Sequence, residues 1–282
     1  MTQFNLVVQG ARVAMPDLPD LRAIARGSAI EPVTGGAFRI RGADPSTREA
    51  VAARCAAAAL DWGFVEDGRR LADFGLLALD MDSTLITMEC IDEIADFAGR
   101  KPEVAAVTAA AMRGEIDWPR SLRSRVAALA GLDASVLERV YRERLALSPG
   151  AQALLDAARG AGLKTLLVSG GFTYFTERLR ERLGITEAHA NELVIEDGRI
   201  AGRVAGPLVD AEGKAGHVAR MRETLALPRE RVLAIGDGAN DLAMMAQAGT
   251  SIAFHAKDVV RDRATYALAH VGLEGVLALF PA

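Results

Sequence analysis

Apolar and polar positions change rhythm near residue 72. Before it, "QFNLVVQG" predicts a strand, "LPDLRAIARG" a helix, and "AIEPVTGGAFRIRG" two strands around a Gly-Gly turn. "STREAVAARCAAAALDWG" predicts a second helix and "FVED" a short strand. The order β-α-β-β-α-β is the ferredoxin-like split pattern. "EDGRRLADFG" then reads as a charged, glycine-marked linker, so residues 1–72 are expected to form a small α+β domain of their own.

From residue 73 the pattern becomes strand-then-helix. Apolar runs "GLLALD", "KTLLVSG" and "RVLAIGD" each end in a polar, glycine-containing tip followed by a helical stretch. That is how a parallel sheet with helices on its faces is written. Residues 86–148, between the first two runs, are helical in pattern: "CIDEIADFAG", "PEVAAVTAAAMRG", "WPRSLRSRVAALAG" and "ASVLERVYRERLAL". So long a segment exceeds one crossover helix and predicts a helical cap. "SPGAQALLDAARGAGLK" resumes the rhythm, with Ser148 and Pro149 opening a helix. The expected fold class is α/β: a Rossmann-like parallel-sheet core over 73–85 and 149–282, with the cap inserted at 86–148.

Composition narrows the partners. The 282 residues are 50% hydrophobic and 25% charged, enough for a sizeable core. A net charge of −4 gives no footprint for nucleic acid or an anionic membrane. No apolar stretch is long enough to span a bilayer, and "MTQFNLVVQGARVAMPD" lacks the form of a signal peptide. Cys55 and Cys90 sit in apolar settings and read as reduced core thiols of a cytoplasmic protein.

The chemistry sits at the strand tips. Ligands bind beyond the carboxyl ends of strands in open parallel sheets. Those ends carry "DMDST" (80–84), "SGGF" (169–172) and "GDGAND" (236–241). If the strands are neighbours, Asp80, Asp82, Ser169, Asp237 and Asn240 converge. Carboxylates gathered this closely need a cation, and hard oxygen donors suit Mg²⁺. His189, His217, His255 and His270 are scattered and form no softer set. Ser169, the amides at Gly170–Gly171 and a lysine can hold phosphoryl oxygens. One aspartate can then attack phosphorus while its neighbour, its pKa raised by the adjacent charge, moves a proton.

"DMDST", Ser169, Lys214 and "GDGAND", in that order, resemble the four motifs of the haloacid dehalogenase superfamily. The flanks "DMDSTLITMECIDEIADFAG", "AAAMRGEIDWPRSLRSRVAAL", "VSGGFTYFTERL" and "AIGDGANDLAMMAQAG" resemble its phosphoserine phosphatases across residues 76–282. The resemblance implies that Asp80 is the nucleophile and a metal ligand. It makes Asp82 the general acid/base, with its backbone carbonyl on the metal, and Asp237 the third protein ligand. Ser169, Gly170 and Lys214 match phosphate-binding positions, Asn240 a substrate contact, and Asp241 a carboxylate that holds the lysine or a metal-bound water. On the cap, Glu89 and Arg123 match the positions that read the ammonium and carboxylate of O-phosphoserine. Helix periodicity does not separate Arg123 from Arg125, since both flank the Leu122–Val126–Leu129 stripe; the resemblance selects Arg123. Met112 and Trp118 are expected on the apolar side of the pocket. The implied activity is Mg²⁺-dependent hydrolysis of O-phospho-L-serine through an aspartyl phosphate, the last step of serine biosynthesis; the alternative is another small phosphate ester. Residues 1–72 resemble ACT domains, which implies a regulatory amino-acid site or a homodimer surface.

Overall fold

The computed structural model describes residues 2–33, 36–112 and 115–282, without the side chains of Ala109, Ala111 and Met112. The first unit runs β1 (Phe4–Gln9), α1 (Asp17–Ile24), β2 (Ile30–Pro32), β3 (Phe38–Ile40), α2 (Arg48–Ala57) and β4 (Asp61–Glu66). Its strands lie antiparallel in the order β2-β3-β1-β4. The Gly-Gly turn expected between β2 and β3 falls partly at Thr34–Gly35, outside the described residues. Leu18, Leu21, Val51 and Cys55 from the two helices close over Leu6, Val8 and Phe64 as a small core.

The second unit begins with β5 (Leu76–Leu79) and passes into four cap helices: α3 (Cys90–Phe97), α4 (Lys101–Met112), α5 (Trp118–Ala127) and α6 (Ser135–Glu143). It continues through α7 (Ala151–Gly160), β6 (Lys164–Phe172), α8 (Thr173–Leu183), β7 (Glu187–Glu196), β8 (Arg199–Ala205) and α9 (Ala211–Thr224). β9 (Val232–Gly236), α10 (Leu242–Met245), β10 (Thr250–Phe254), α11 (Asp258–Arg261), β11 (Tyr266–Leu268) and α12 (Gly275–Leu279) complete it. Strands β11-β10-β9-β5-β6-β7 are parallel, and β8 returns antiparallel along β7. β5 is buried at all four positions. Leu77 and Leu79 join the core that includes cap residues Ile94, Leu122 and Val126, while Leu76 and Ala78 face Val218 and Met221 of α9. Burial on both faces explains why the run is continuously apolar rather than alternating.

The two units share one sheet. β4 pairs antiparallel with β11 at Trp62↔Ala267, so the eleven strands among the described residues run without a break. Instead of a slack linker, residues 66–75 carry Leu71 and Phe74 into the interior, where the Phe74 ring meets Phe280 edge-on at 5.1 Å. The Asp61 carboxylate, 5% exposed, accepts the backbone N–H groups of Ala269 and His270 at 2.8 Å and Val271 at 3.2 Å. Burial pushes its pKa up, and those three donors pull against that shift.

Asp61→Ala would strand three amides at this seam. It is expected to cost about 2–3 kcal/mol in urea-induced unfolding, the range for buried donors left unpaired. A loss under about 0.5 kcal/mol would mean that the seam is not held by this carboxylate.

Candidate active site

β5 lies between β9 and β6, which is where the strand order reverses, so their carboxyl ends deliver three loops to one place. Asp80 follows β5 directly and donates its backbone N–H to Ile235 O of β9 at 3.0 Å. The chain then turns through Met81–Leu85, with Asp82 extended (φ −64°, ψ 135°) and Ser83 left-handed (φ 56°, ψ 2°). A left-handed serine costs about 1–3 kcal/mol of backbone strain. The turn directs Ser83 Oγ to Glu89 Oε1 at 2.7 Å, and Cys90 N to Asp82 Oδ1 at 3.2 Å. It therefore fixes Glu89 and Asp82 together.

Lys214 comes from the first turn of α9, which Asp210 caps by accepting Gly213 N at 2.9 Å. Its side chain is 1% exposed, and Nζ donates to Asp80 Oδ1 at 2.5 Å and Asp241 Oδ1 at 2.7 Å. Burial works against the lysine's charge, but the two carboxylates outweigh it and raise its pKa. Asp241 spends its other oxygen on the backbone N–H groups of Asp237 (3.1 Å) and Gly238 (3.0 Å). Thr84 Oγ1 donates to Asp237 Oδ1 at 3.1 Å.

Oxygen atoms of Asp80, Asp237 and Asp241 lie within 4.8 Å of one another. Burial first, and then the charge of Asp241, pushes Asp80 well above the carboxylate range and Asp237 up to about 6. One ammonium is too little positive charge for three acids, and the donors are all oxygen. The cluster thus fits a hard divalent cation. Both Asp241 oxygens are already engaged, which leaves Asp80 and Asp237 as the side chains free to bind it. Asp82 is pushed up to about 7, by burial and then by Glu89, so its protonated form is present near neutrality.

A cavity of about 690 Å³ opens over these groups. Asp80, Asp82, Glu89, Gly170, Lys214, Asp237 and Asn240 line it; Ser169 and Asp241 are buried behind its wall, and no histidine lines it. A methyl built on Gly171 would sit 2.8 Å from Asp82 Oδ2 and 3.0 Å from Ser169 Oγ. One on Gly170 would sit 2.8 Å from Trp118 Cζ2. The glycine pair thus lets the acid, the serine and the cap approach one short loop. Met112 lies outside the described side chains.

One expected residue lies away from the cavity. Arg123 is exposed and does not line the cavity; Arg125 does, with its Nε buried and unpartnered among the described residues. Both flank the apolar stripe, but Trp118 and Ser121, seven and four residues before Arg125, line the same cavity. Packing of α5 selects their flank, and periodicity alone carries no such information. Thr84 and Ser83 also escaped the sequence reading, although both lie inside "DMDST".

A sequence model of haloacid dehalogenase-like hydrolases matches residues 77–246, and a model of a domain of unknown function (DUF4072) matches residues 6–51. The phosphoserine phosphatase of Polaromonas sp. strain JS666 is 51% identical over 215 residues, 74% of this chain and 91% of its own. The unliganded crystal structure of a probable phosphoserine phosphatase from Vibrio cholerae superposes with TM-score 0.84 at 36% identity, over 98% of this chain and 86% of that one. A phospho-aspartyl intermediate analogue of phosphoserine phosphatase superposes with TM-score 0.69 at 33% identity, over 73% of this chain and 99% of that one.

Lys214→Met should expose how far the site depends on its ammonium. Removing one partner of a buried charge pair costs about 3–5 kcal/mol, so metal-free urea unfolding should show a loss of that size. An unchanged midpoint would mean that the fold does not depend on this buried pair of bonds.

Proposed function

The chain belongs to the phosphoserine phosphatases of the haloacid dehalogenase-like hydrolases, and from that premise we propose that its cavity hydrolyses O-phospho-L-serine to L-serine and phosphate, the last step of serine biosynthesis. The observation that carries the reading is that one cavity joins Asp80 and Lys214 on the core side to Glu89 and Arg125 at the cap. The first pair suits a phosphoryl group, the second an ammonium and a carboxylate. Arg125 Nε, buried with no partner among the described residues, is a donor waiting for an anion.

Asp80 attacks phosphorus and forms an aspartyl phosphate as the ester P–O bond breaks. Asp82 gives its proton to the departing seryl oxygen, for which a pKa near neutrality is suited. Once serine has left, Asp82 takes a proton from water, whose oxygen attacks the phosphorus and frees Asp80. Lys214, bonded to Asp80 at rest, is placed to follow the charge onto the phosphoryl oxygens, with Ser169 and the Gly170 loop beside it. Mg²⁺, held by Asp80, Asp237 and the Asp82 carbonyl, would offset the charge that otherwise repels phosphate from the carboxylates. Asn240 contacts the substrate, and Asp241 keeps Lys214 in place. Trp118, packed on Gly170, closes the apolar side.

Residues 1–72 are read as an ACT-like ferredoxin-fold domain, regulatory or dimerising, on the strength of their element and strand order. Residues 73–282 then form the phosphatase domain, with its cap at 86–148.

Phosphate release from O-phospho-L-serine and a panel of other esters, with Mg²⁺ or chelator, tests the chemistry. Release should need the metal and vanish in Asp80→Asn; metal-independent turnover would sink the mechanism. Arg125→Ala should raise KM for O-phospho-L-serine about 10- to 100-fold, the worth of a charged hydrogen bond, while Arg123→Ala stays within about twofold. A preference for another ester, indifferent to Glu89 and Arg125, would transfer the reading to that substrate.

A further inference from the structure

The stretch Ser169–Gly171 interrupts the ladder between β6 and β7, whose register shifts between Val168 and Phe172. Backbone groups released by such an irregularity must find partners elsewhere. Asn191 of β7 supplies one. It is 1% exposed, and its Nδ2 donates to Gly170 O at 2.8 Å while its Oδ1 accepts Val209 N at 2.9 Å. A carbonyl only accepts and an N–H only donates, so these partners leave the carboxamide a single orientation.

The two bonds lead to the two anion-binding parts of the site. Gly170 O belongs to the peptide whose N–H is that of Gly171, and this N–H donates to Ser169 Oγ at 2.8 Å. Ser169 is thus used as an acceptor, and among the described residues its hydroxyl proton is given to no group. Ser169 itself is fully buried, next to Gly170, which lines the cavity. On the other side, Val209 precedes Asp210, the cap of α9, one turn ahead of Lys214. Asn191 does not line the cavity.

We propose that Asn191 is a positioning residue for phosphoryl binding: its carboxamide holds the Gly170–Gly171 peptide and the start of α9 in one register, so that this peptide and Lys214, which both line the cavity, meet the same phosphoryl group. This rests on the reading of the cavity as a phosphate-ester site. Amino-acid recognition by Glu89 and Arg125 lies outside its reach, because those residues come from other elements.

The test compares the wild-type chain with Asn191→Leu, which keeps much the same branched shape but can make neither bond, and with Asn191→Ala. Inhibition by inorganic phosphate, inhibition by L-serine and the melting temperature are measured for each at saturating Mg²⁺. The inhibition constant for phosphate should rise about tenfold or more in folded Asn191→Leu, the value of a lost buried hydrogen bond, and at least as much in Asn191→Ala. The constant for L-serine should stay within about twofold. An unchanged phosphate constant in folded Asn191→Leu overturns the proposal, as does an equal loss for phosphate and serine, which would mark a general structural role. Failure of the wild type itself to bind phosphate overturns the phosphate-site reading and this inference with it.

Discussion

Everything at the site depends on one ammonium shared between two buried carboxylates. Lys214 stands between Asp80 and Asp241 with almost no access to water, and its loss would leave two buried side chains without their shared partner. The pair of bonds fixes α9 against the ends of β5 and β9, which set the positions of Asp80 and of the loop carrying Asp237. Charge remains unbalanced even so: three acids share one cation, and Asp80 and Asp237 are both pushed upward. The structure keeps that imbalance as a demand for a divalent cation.

The sheet makes the arrangement geometrically cheap. Three neighbouring parallel strands end at the same level, so short loops suffice and no residue has to reach far. The cap adds what the sheet cannot. Glu89 follows the strained turn after Asp82, and Arg125 and Trp118 come from a helix lying over the Gly170 loop. The cap-side acid is thereby tied to Asp82, since Ser83 holds Glu89 and the charge of Glu89 acts on Asp82.

Much of this was legible in the chain. Continuous apolar runs ending in "DMDST" and "GDGAND" signal buried strands with charged tips, because few other structures would place paired acids beside so much apolar surface. Serine and lysine acquire meaning only through motif order. What stayed hidden was information that packing supplies. Arg123 and Arg125 are equivalent until α5 is laid on its neighbours. The β7–β8 hairpin was missed because its strands are half polar, although Asp197-Gly198, with φ of 48° and 75°, is a recognisable turn. Asn191 sits in that hairpin, in no motif at all. The linker reading of residues 66–75 stumbled for a similar reason: Leu71 and Phe74 look unremarkable until Phe280 arrives from the far end of the chain.

The continuity of the sheet has a consequence for how molecules of this protein meet. With β4 laid against β11, the open edge passes outward to β2, three residues long, ending in Pro32 and carrying Glu31 paired with Arg41. At the opposite border, β8 carries Gly202 with φ 72° along with two arginines. Both borders are poor templates for strand addition from a second chain. The N-terminal unit thus shields the catalytic sheet from edge-to-edge aggregation. A dimer built through that unit would have to meet across its helices.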